Sequence, residues 1–123
     1  MDESILTTIK KLLGINEEYE HFDQDIIIHI NSTLMTLRQI SVGPEDGLII
    51  TDKSVTWRNL LGDDANKLGA TQSYVYLKVK LIFDPPQNSF TIDAMNKTAN
   101  EMEWRLLNEA DKPILVPTPA PVN

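Results

Sequence analysis

Apolar residues recur at helical spacing along four main stretches of the chain, separated by glycine, proline and acidic runs. The first stretch runs from Ser4, an N-cap, to Leu13. It sets Ile5, Leu6, Ile9, Leu12 and Leu13 on one face, with Lys10 and Lys11 near its end and Gly14 as its stop. A second helix is expected from Asp23, as N-cap, to about Ser41, ahead of Gly43-Pro44. Ile26, Ile27, Ile30, Leu34 and Leu37 form its main stripe, and Ile28 and Met35, seven apart, form a weaker one. Residues 45–53 read as an excursion in which Leu48-Ile49-Ile50-Thr51 has strand character. A lone strand has no partner in this chain, so it either packs as an extended loop or pairs outside, with Leu48 and Ile50 as the candidate contacts. Ser54 can cap a short helix through Leu61, stopped at Gly62.

The segment from Asp63-Asp64 to Phe83 ends where Asp84-Pro85-Pro86 forbids continuation. Leu68, Val75, Tyr76, Val79, Ile82 and Phe83 gather on one side, and Ala70, Tyr74, Leu77 and Leu81 on the other. A helix apolar on both sides is either wrapped entirely by its own chain or covered on one side by another subunit. Tyr74, Leu77 and Leu81 are the residues expected at such a contact. Ser89 or Thr91 can cap a last helix to about Asn108, with Ile92, Met95, Ala99, Met102 and Leu106 along its core stripe. Trp104 points away from that stripe and reads as a surface residue or a partner contact. From Glu109 the composition changes, with four prolines between Pro113 and Pro121. Ile114, Leu115 and Val116, flanked by Pro113 and Pro117, suit a strand-like arm added to a neighbour. The expected fold is mainly α: a small bundle of four to five helices over residues 1–108, a short β excursion within 44–54, and an extended, proline-rich tail over 109–123.

At 123 residues the chain has the length of one domain and one modest core. The absence of cysteine excludes disulfides, thiolate metal sites and cysteine nucleophiles. No apolar run approaches the ~20 residues needed to cross a bilayer, and the acidic Met1-Asp2-Glu3 start is unlike a signal peptide, so neither a membrane partner nor export is expected. The formal net charge is −7, with no basic stripe, which argues against nucleic-acid binding. Residues 1–25 hold seven acids against Lys10 and Lys11, which leaves −5 at one end.

Candidate chemistry is sparse. Asp25 and His29 stand four apart on the second helix, but two ligands do not close a metal site, and His21 adds no third. Asp63-Asp64 precedes a helix, where capping explains the pair better than catalysis. Phosphate-loop, dinucleotide, nucleophile-elbow and zincin motifs are lacking. The chain reads as non-enzymatic, with no catalytic residue, metal or cofactor. A small acidic protein-binding module, such as a DNA-mimic inhibitor of a basic protein, is the alternative that charge alone suggests.

Three strings, Asp23 to Pro44 (DQDIIIHINSTLMTLRQISVGP), Tyr74 to Pro86 (YVYLKVKLIFDPP) and Glu101 to Leu107 (EMEWRLL), stand in an order and spacing that resembles the head-tail connector proteins of long-tailed bacteriophages, over roughly residues 4–108. The resemblance implies a mainly α-helical adaptor, made in the bacterial host cytoplasm and located at the head-tail junction of the virion. It implies a closed ring of about twelve copies beneath the portal protein, formed by head-to-tail contacts. Such a ring extends the DNA channel, lets genomic DNA pass without specific binding, and presents a platform for a stopper or tail completion protein. By the same resemblance the C-terminal extension reaches the portal. About twelve copies would carry on the order of −80 formal charges, which disfavours DNA adhesion.

Overall fold

A computed structural model describes residues 1–111, with side chains through Glu109, as a mainly helical bundle. Its helices are α1 (Ile5–Leu12), α2 (Asp23–Gln39), α3 (Trp57–Leu61), α4 (Leu68–Phe83) and α5 (Ser89–Asp111), with a 3-10 turn at Ala65–Lys67 before α4. The tail residues Ile114, Leu115 and Val116 lie outside the described residues.

Local sequence sets most boundaries. Ser4 Oγ accepts the Thr7 amide at 3.1 Å, and α1 stops before Gly14, whose φ of 84° suits glycine. Asp23 is the first helical residue of α2 rather than its cap, because its carboxylate is taken up by Lys10 Nζ at 2.8 Å. The helix ends two residues before the expected Ser41, which takes a left-handed φ of 68° while the Val42 amide reaches back to the Leu37 carbonyl at 2.8 Å. The cap of α3 is Thr56, not Ser54. Thr56 and Asn59 form a reciprocal capping box, whereas the Ser54 amide is held by Asp52 Oδ1 at 2.8 Å. Asn88 Oδ1 accepts the Phe90 amide at 2.8 Å at the head of α5.

The core gathers most of the predicted stripes, Ile5, Leu6 and Ile9 from α1, Ile26 to Leu37 from α2, Val75 and Val79 from α4, Ala99 and Leu106 from α5, while Leu12 and Ile82, at the ends of theirs, stay exposed. α4 is the central element. It packs against α2 on its Val75–Val79 side and against α5 on its Tyr74 side, so both apolar sides are largely covered by the chain itself. Trp57 seals the bundle from α3, wholly buried, and its Nε1–H donates to Thr8 Oγ1 at 3.0 Å.

The short β excursion expected within 44–54 is not seen. Among the described residues there is no strand, and the one isolated bridge joins Ser4 to Thr56. The reason is an asparagine. Asn31 Oδ1 accepts the Ile50 amide at 2.8 Å and its Nδ2–H donates to the Ile50 carbonyl at 3.0 Å, so one side chain on α2 supplies both bonds that a neighbouring strand would make. Ile50 is thereby pressed into the core and Ile49 turned outward. The N-terminal residues run alongside α3: Ile5 donates to the Val55 carbonyl at 3.0 Å, Trp57 to Glu3 at 3.1 Å, and Arg58 pairs with both Asp2 and Asp63.

Candidate assembly surfaces

Of the groups singled out for chemistry, the Asp63-Asp64 pair has structural partners. Asp64 Oδ1 accepts the Asn66 amide at 3.1 Å and so caps the turn before α4, while Asp63 pairs with Arg58. Asp25 and His29 share a groove with apolar walls, and no cluster of three metal-ligating side chains exists among the described residues.

The residues expected at contacts divide by burial. Tyr74 and Ile50 lie inside the subunit, not on its surface, because α5 covers the first and the Asn31 clamp seats the second. Leu77 and Leu48 are half-buried against the core, and Leu81 is half-buried at its margin. Trp104 stands out on α5 with 66% of its surface exposed.

Tyr74 is the most informative interior group. Its hydroxyl donates to Glu103 Oε1 at 2.8 Å and pins α4 to α5. Burial pushes its ionisation well above the ordinary value, and the bond to Glu103 and that carboxylate's charge push it further. A raised folded value favours the protonated phenol, so stability is unaffected below the unfolded value of about 10 and declines as pH rises beyond it. Thermal melts are therefore expected to show a flat profile through neutral pH and a fall above about pH 10, with a shallower fall in Tyr74→Phe. Identical alkaline slopes in both proteins would assign the loss to other groups.

Two sets of exposed apolar residues lie on outer helix faces. On α5, Phe90 (81% exposed) and Trp104 stand fourteen residues apart with Lys97 midway, so all three follow one line along the helix. On α2, Ile28 and Met35 form the second stripe, both 62% exposed. Sequence reasoning found Trp104 and the α2 pair but passed over Phe90, although its seven-residue step to Lys97 and Trp104 was there to count.

Comparison with known families places the whole sequence, not these surfaces. A family model described as phage connector protein matches residues 5–113. The chain belongs to the phage connector protein family. No curated protein and no solved structure matched it. Connector membership makes this a structural phage protein. No helix among the described residues is long and apolar enough to cross a membrane.

Proposed function

We propose that the chain is a ring-forming adaptor at the head-tail junction, docking under the portal and carrying the DNA channel toward a stopper or tail completion protein. The observation that carries this reading is the family match over nearly all of the described residues. Two unlike apolar faces, on α2 and on α5, support it. A heterologous, head-to-tail contact joins two different patches, and rotation by a fixed angle closes such contacts into a ring. About twelve copies would match the portal. With −7 on each subunit, the ring repels phosphates instead of holding them, which suits passage of the genome.

Electron cryo-microscopy of purified portal mixed with the chain should show a ring of density at the portal vertex. A different protein occupying that place in phage particles would refute the assignment. Trp104→Asp is expected to leave stability within about 0.5 kcal/mol, because the side chain lies mostly in water, yet to abolish or strongly weaken ring density. Full assembly of that variant would remove the outer face of α5 from the contact.

A further inference from the structure

At one end of the bundle, where α1 and α4 finish and α2 begins, an apolar groove is left open. Leu13, Ile15, Phe22 and Phe83 wall it, and exposed Ile82 stands at its mouth. Phe22 and Phe83 meet edge to face at 5.4 Å between ring centroids, which gives it a firm wall. Asp25 and Asp84 add negative charge, and Lys80 neutralises Asp84 in part at 2.9 Å. The matching ligand is a short apolar segment with a cation beside it.

The chain supplies one. Beyond Asp111 it continues as Lys112-Pro113-Ile114-Leu115-Val116-Pro117, three large aliphatic residues two positions after a lysine. Distance decides which copy can deliver it. The bond from Tyr74 to Glu103 fixes the register of antiparallel α4 and α5. From that level Phe83 lies nine residues one way and Asp111 eight residues the other, so the two are separated by roughly 25 Å along the axis at 1.5 Å per residue. Leu115 is four residues past Asp111 and extends at most about 14 Å. A subunit therefore cannot place these aliphatics in its own groove.

We propose that the groove receives Ile114, Leu115 and Val116 from a second copy of the chain, with Lys112 against Asp25 and Asp84. This rests on the ring reading and adds to it an arm from each subunit anchored in the next, which leaves only the residues beyond Val116 for the portal contact that the resemblance implies.

The 123-residue chain has no native cysteine, which makes the test direct. Ile82→Cys and Leu115→Cys are purified separately, mixed with portal and oxidised, and disulfide-linked dimers are followed by mass. Ile28→Cys with Leu115→Cys is the control, since Ile28 is as exposed as Ile82 (62% and 59%). The groove pair is expected to cross-link about tenfold faster than the control, because a seated segment holds its sulfur within bonding reach. Equal rates would overturn the proposal, and so would an intramolecular disulfide in a chain carrying both Ile82→Cys and Leu115→Cys. A ring at the portal without the groove cross-link would overturn the arm and keep the adaptor. A groove cross-link without a ring would support the arm and overturn the adaptor.

Discussion

Trp57→Ala is expected to lower the unfolding free energy by about 3–5 kcal/mol, the largest effect of any single truncation in this bundle. The indole is completely buried where α3 closes over α1, and removing it leaves a cavity that surrounding helices cannot collapse into without moving the N-terminal residues that run alongside α3. It also leaves the Thr8 hydroxyl without its donor. Against a typical domain stability of about 5–15 kcal/mol, that loss brings the protein near unfolding at growth temperature. Urea titration followed by far-UV circular dichroism measures it. A change below about 1 kcal/mol would mean that α3 is not integral to the core.

The second large effect is expected from the ion pair between α1 and α2. Lys10 is only 2% exposed, and its ammonium is held by Asp23 Oδ1 and the Glu17 carbonyl, both at 2.8 Å. Asp23→Ala removes the charge partner while the cation stays enclosed, so a loss of about 2–4 kcal/mol is expected, somewhat under the figure for a fully buried pair because Asp23 is one-fifth exposed. Lys10→Met should cost less. The methionine fills the same channel, and the freed carboxylate can turn toward water. The order of the two losses is the diagnostic: if Lys10→Met proves the more damaging, the buried ammonium is not the group that demands compensation.

The chain announces most of its helices because amphipathic stripes and their caps are local features. Ser4 and the Ile26–Leu37 stripe act within a few residues of themselves, and the structure keeps them where the pattern puts them. What depends on distant neighbours was hidden. Leu48 to Thr51 reads as a strand by composition, but its fate was settled by Asn31, nineteen residues away from Ile50, whose amide leaves no place for a ladder. Tyr74 looked like a contact because its side of α4 opposes the other apolar side. Only the fold of α5 back along α4, through Asp84-Pro85-Pro86, decides that it is interior. Lys10 likewise read as a helix-end cation and became a buried clamp once α2 crossed it. Ile28, Met35 and Trp104 fall off their helices' core stripes in the sequence and all lie exposed, whereas Tyr74 and Ile50, expected at contacts, lie inside.

The two tryptophans now have separate uses. Trp57 sits in a dry interior and its fluorescence should be blue and shielded from iodide, while Trp104 in water should emit to the red and be quenched. In Trp57→Phe the remaining light comes from the outer face of α5 alone. Docking can then be followed in real time without a label, by how much of that red emission iodide still reaches.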